Sequence, residues 1–191
     1  MRTNSISLCS CKTQYNIKKA WILALLTGFM VAACHPKPHN VRQAGRDALE
    51  SARIQLDSGN KAEALQLFKD AEHYSLLAND TLTVAYARYN IARCLGYYAD
   101  KQETVSLLRS AAEGFSDDYA NRAEALRELG DFYQIHSQFD SAEYYLEQAI
   151  VYAEQSGSTK AKRDVLSAFH TMHFNAGDHE KSADYLSQLW Q

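Results

Sequence analysis

The side chains with the plainest chemical potential are His170 and His173, three apart, with Asp178 and His179 following a glycine turn. Two histidines at that spacing on a helix can face one way, which begins a zinc ligand set, but such a site needs a third and a fourth ligand in place. The competing reading is histidines packed or solvated at helix surfaces. Elsewhere there is no nucleophile with a base at motif spacing, no carboxylate pair set by a motif and no glycine-rich phosphate loop. The expectation is a chain that is not an enzyme, with no cofactor and no metal; a metal-dependent hydrolase would rest on the histidines alone. The four cysteines, Cys9, Cys11, Cys34 and Cys94, fit neither zinc spacing nor a disulfide framework. Cys94 reads as a small core residue.

Cys34 has a particular setting. Lys18-Lys19 is followed by Ala20 to Ala33, fourteen residues with Trp21, Ile22, Leu23, Leu25, Leu26, Phe29, Met30 and Val31 and without a charge. A membrane-spanning helix needs roughly 20 apolar residues, whereas a basic stretch, a short apolar core and small residues before a cut describe a secretory signal. The end of the segment, Val31-Ala32-Ala33-Cys34, resembles the lipobox of bacterial lipoproteins. The resemblance implies a signal peptide over 1–33, cleavage after Ala33 and lipidation of Cys34. Several acyl chains make a durable anchor, where one is marginal. Residues 34–40, with Pro36 and Pro38, read as an extended tether because proline fixes φ and blocks helix. Bacteroidetes lipoproteins exported to the cell surface carry acidic residues just after the cysteine. This chain does not, which points to the periplasmic side of the outer membrane in a bacterial cell envelope.

Charge narrows the partners. The first 33 residues hold four basic side chains and no acid, so the rest carries 16 basic against 23 acidic residues. A phosphate backbone is met by clustered Lys and Arg, so nucleic acid is not an expected partner.

The elements that must position any site are helices. Ala, Leu, Glu, Gln and Lys recur from Val41 onward, and no alternating β-branched run suggests a strand. Helices are expected near 41–57, 61–77, 81–98, 101–115, 118–136, 139–155, 159–175 and 179–190. Asp57-Ser58-Gly59-Asn60 and Asn175-Ala176-Gly177-Asp178 supply left-handed turns. Asn79-Asp80, Ser116-Asp117-Asp118 and Gly157-Ser158-Thr159 supply caps.

The sequence also repeats itself. Leu126-x2-Leu129-Gly130-x2-Tyr133, followed by Ala142, Leu146 and Ala149, resembles the tetratricopeptide repeat pattern W-x2-L-G-x2-Y…A-x3-F. The theme returns as Ile91-Ala92 with Thr104, Leu108 and Ala111, as Ala52 with Ala64, Phe68 and Ala71, and as Phe169-His170 with Ser182, Leu186 and Leu189. In the last of these, His170 stands where a small residue is usual. The small residues Ala64, Thr104, Ala142 and Ser182 are 40, 38 and 40 residues apart, against about 34 in that family. Helices longer by about a turn absorb the surplus; a distinct helical-hairpin repeat is the rival. The resemblance implies an all-α fold over 41–191, a right-handed solenoid of about four tetratricopeptide-like hairpins. Tyr185, Leu189 and Trp190 would be partly uncovered at its carboxyl end.

In such a solenoid the first helices line a concave binding face. Carried over by resemblance, the groove places are Arg46, Arg53, Tyr86, Tyr89, Arg93, Tyr97, Arg127, Asp131, Thr171 and Phe174. Tyrosine and arginine are common interface anchors, and Arg53, Arg93 and Arg127 would together suit an acidic peptide. The same residues serve equally as packing between repeats and as solvated cations. The leading expectation is a membrane-anchored scaffold for protein or peptide partners; the alternative is the truncated sensory part of a bacterial transcriptional regulator.

Overall fold

The computed structural model describes residues 38–190, which form eight helices and, among the described residues, no strand. In order these are α1 (Pro38–Asp57), α2 (Lys61–Leu77), α3 (Thr81–Leu95), α4 (Lys101–Gly114), α5 (Tyr119–Ile135), α6 (Phe139–Gln155), α7 (Thr159–Ala176) and α8 (His179–Gln188). Cys9, Cys11, Cys34 and the whole expected signal segment lie outside the described residues.

The helix ends are written in the sequence. Asp80, Asp118 and Ser158 each accept a hydrogen bond from the backbone N–H three residues on, satisfying a donor that the first turn leaves open. Gly59 and Gly177 take φ of 84° and 82°, the left-handed turn that closes a helix. Two ends differ from expectation by three residues, and the others agree within two. Helix α1 begins at Pro38, three residues early, because proline's missing N–H has no intrahelical partner in a first turn and its φ suits one. Helix α3 stops at Leu95, where Gly96 turns to φ 79°. Tyr97 therefore sits in the α3–α4 connection and not on a helix, and Asp100 caps α4 through the Glu103 amide at 2.8 Å.

Successive helices pack as antiparallel pairs, like an array of helical hairpins. The small-then-large spacing of the second helices is the core: Ala64, Phe68 and Ala71 of α2, Thr104, Leu108 and Ala111 of α4, and Ala142, Leu146 and Ala149 of α6 are all buried. Where the first helix crosses, backbones approach closely. A Cβ on Gly130 of α5 would lie 2.7 Å from Leu146, so any larger residue at the α5–α6 crossing forces the Leu146 side chain to shift. In the last hairpin His170 takes the corresponding place. Its Nδ1–H donates to the Ser182 carbonyl at 3.0 Å, and the Ser182 hydroxyl donates to the His170 carbonyl at 3.1 Å. A polar exchange replaces the close approach there.

Two apolar clusters share α3. Ala87, Ile91 and Cys94 look back to α1 and α2, while Ala85, Tyr89 and Ala92 look forward to α4 and beyond. Beyond chain neighbours, α1 approaches α3 and α5 approaches α7. At the carboxyl end Tyr185 stacks on Phe169 with ring centres 4.6 Å apart, and Trp190 is 85% exposed.

Candidate functional site

The groove places expected from the sequence do not form one basic surface. Arg46 of α1 pairs with Asp80 at 3.0 Å and so ties α1 to the start of α3. Burial works to raise the Asp80 pKa, but the Thr83 amide and Arg46 hold it below the usual carboxylate value. Arg53 lies over the Tyr86 ring at 5.0 Å, and Arg93 over the Tyr89 ring at 5.5 Å. Tyr86 donates to Asp118, and Tyr89 to Glu124, so both tyrosines bridge α3 to the start and first half of α5. Phe174 is exposed near His170 and His179, away from the others.

Arg127 is the centre of a different arrangement. Its Nε and Nη2 grip Glu124 at 3.0 and 2.9 Å, Nη2 also donates to Glu128 at 2.7 Å, and Nη1 donates to Asp131. Glu124 and Asp131 stand three before and four after the arginine, so the helix itself brings them to its face, and Glu128 is its immediate neighbour in the chain. From the α3–α4 connection the Tyr97 hydroxyl donates to Glu128 at 2.8 Å. Arg127 is thus committed to its own helix, and all four side chains are mostly buried.

Three carboxylates share this one guanidinium, and two of them, Glu124 and Asp131, shift in opposite directions. Burial would raise Glu124, but the bidentate Arg127 contact and the Tyr89 hydroxyl bring it below its usual value. Asp131 goes the other way: burial, with repulsion from Glu128 and Glu124, outweighs Arg127 and pushes its carboxyl up to about 6. Tyr89 and Tyr97 are raised by burial and by the same acids. Because folded Asp131 binds its proton more tightly than the unfolded chain, it removes stability as pH rises from about 4 to about 6. Asp131→Asn should abolish that decline, a difference of about 2 kcal/mol. Urea unfolding across this pH range measures it, and a decline of equal size in the variant would count against the assignment.

Beside the cluster, a cavity of about 410 Å³ opens between the α3–α4 connection, α5 and α7, lined by Tyr97, Arg127, Asp131, Gln134, Ile135, Asp164, Ser167, Ala168 and Thr171. Of the expected groove residues, Tyr97, Arg127, Asp131 and Thr171 meet here. Gln134, Ile135, Asp164 and Ser167 are lining residues that sequence reasoning missed, although Asp131 to Gln134 is a helical step onto one face. A wider depression of about 670 Å³ along α4 includes Lys101, Arg109 and Tyr133. Its cations are already engaged, Lys101 with Gln138 and Arg109 with the Tyr145 hydroxyl, so the smaller cavity is the stronger candidate.

The histidines do not converge. His170 is held by Ser182, while His173 is buried beside the Tyr185 and Phe169 rings, its ring centre 5.4 and 6.3 Å from theirs, and lies 3.8 Å from Glu143 and 3.9 Å from Asp178. Among the described residues no group of three or more His, Cys, Asp or Glu is placed to hold a metal ion. Cys94 is buried in the first apolar cluster, and burial raises its thiol pKa. No protein-family model matches the chain, and no curated protein matches it either.

Proposed function

We propose that this chain is a lipid-anchored, tetratricopeptide-like scaffold that binds protein or peptide partners in a bacterial cell envelope, with the cavity beside Arg127 as part of its binding face. The observation that carries the reading is the position of that cavity. It lies along first helices, where a right-handed hairpin solenoid gathers side chains into a groove. The burial of Ala64, Thr104, Ala142 and Ser182 at matching places supports the same register. The long period belongs to a variant of the tetratricopeptide plan in which each hairpin is extended. Binding to such a face requires no catalytic group.

A photo-crosslinking residue at Thr171, exposed on the cavity rim, tests the binding face against one at Glu147 on the exposed side of α6. Specific adducts from position 171 and none from 147 are the expected result; equal patterns from both would remove the groove. The anchor is tested separately. Cys34→Ser should lose incorporated fatty acid and move the protein out of the membrane fraction, and unchanged labelling would refute lipidation at this residue.

A further inference from the structure

The cavity beside Arg127 has a definite chemical preference. We propose that it receives one basic side chain, an arginine or a lysine, from an extended segment of a partner polypeptide; this rests on the scaffold reading above. The lining supplies acceptors in excess. Asp131 gives one carboxylate oxygen to Arg127, and Asp164 of α7 gives one to Lys160 at 2.5 Å. The second oxygen of each accepts from no protein donor among the described residues. Gln134 lines the same cavity, is 8% exposed, and its Oε1 has no hydrogen-bond partner. A buried carbonyl oxygen without a donor is a costly arrangement. The terminal torsion of glutamine is soft, so the amide can turn its oxygen toward an occupant.

Charge points the same way. The groups that face Asp131 are Glu124, Arg127 and Glu128 from α5, Tyr97 from the α3–α4 connection, and Asp164 from α7, with Lys160 beside Asp164. Arg93 borders an adjoining space with Glu128 on the other side of Tyr97. Two carboxylates, Asp131 and Asp164, and one cation, Arg127, line the cavity; their neighbours Glu124, Glu128 and Lys160 bring the local set to four carboxylates and two cations, and Arg93 offsets only part of the difference. An acidic peptide would add to the excess, whereas a guanidinium would join Asp131, Asp164 and Gln134 through donors set in a fork. The volume of about 410 Å³ holds a long side chain together with several waters, each of which takes about 30 Å³ of liquid. Because the acid that must pair with the ligand is protonated near pH 6, binding tightens as pH rises through that value.

The test is calorimetric titration of the full chain in nonionic detergent. The probes are a capped alanine peptide with one central arginine and its counterpart with glutamate in that place. Saturable binding of the arginine peptide alone is expected one unit above pH 6, weakening up to roughly tenfold one unit below. Asp131→Asn should lose the pH dependence. Asp164→Asn, on another helix and at a more exposed site, should weaken binding at both pH values, and circular dichroism checks that each variant folds. Gln134→Leu should weaken binding while unfolding at higher temperature than wild type. Equal binding of the two peptides, binding independent of pH, or no saturable binding would each overturn the proposal. If adducts still form from position 171 while the arginine peptide fails, the basic-side-chain site falls and the scaffold stands. Binding of the arginine peptide without such adducts would leave a cation pocket but remove the partner polypeptide, and with it the proposal as stated.

Discussion

Arg127→Met should destabilise the protein by about 3 kcal/mol or more at neutral pH, and the loss should shrink on acidification to about pH 4. Removing one partner from a buried ion pair leaves the other charge without compensation, at roughly 3 to 5 kcal/mol. Here the guanidinium serves Glu124, Glu128 and Asp131 together, and partial solvent access moderates the figure. Once the arginine is gone, the carboxylate pKa values rise, so protonation relieves the repulsion as pH falls. The triple replacement Arg127→Met, Glu128→Gln, Asp131→Asn should regain most of the loss. Urea unfolding at the two pH values decides the matter. A deficit of the same size at both would mean that lost packing of the arginine stem, and not uncompensated charge, is the cause.

Gly130→Val should cost about 3 kcal/mol, lowering the midpoint of thermal unfolding by roughly 6 to 12 °C for a chain of this size. Intrinsic propensity argues the opposite, since glycine inside a helix is about 1 kcal/mol less favourable than alanine. Space decides. The added Cβ would meet Leu146 at 2.7 Å and the Ala142 carbonyl oxygen at 3.4 Å, and Leu146 is fully buried with nowhere to retreat. Even Gly130→Ala should therefore destabilise. A midpoint that rises with alanine would show that α5 and α6 can separate without loss.

These two residues mark what the sequence could and could not yield. Gly130 was legible because the requirement is local and periodic: a small residue at the crossing, with a large one on the facing helix. The same logic located the buried faces of α2, α4 and α6, and the cap residues Asp80, Asp118 and Ser158. The expected bounds of α3 failed at Gly96, a stop signal inside an apolar helical stretch. By its type and its place in the repeat, Arg127 reads as a groove cation. Its neighbours Glu124, Glu128 and Asp131 carried the missing information, since acids three before and four after a basic residue share its helix face. The cavity was beyond reach for another reason. Gln134 and Asp164 lie on different helices, and no local pattern reports how α5 and α7 close on each other.

The tyrosine bridges from α3 and the connection after it to α5 give the array an uneven temper. Other junctions combine apolar burial, which salt barely affects, with single polar ties such as Arg46 to Asp80. This one leans on Tyr86 to Asp118, Tyr89 to Glu124 and Tyr97 to Glu128, contacts to charged acceptors that respond to ionic strength and acidity. The same seam borders the cavity. An occupant that neutralises the acids would thus change the stiffness of the joint it rests against, so that the grip of the groove and the flexibility of the array are adjusted by one set of carboxylates.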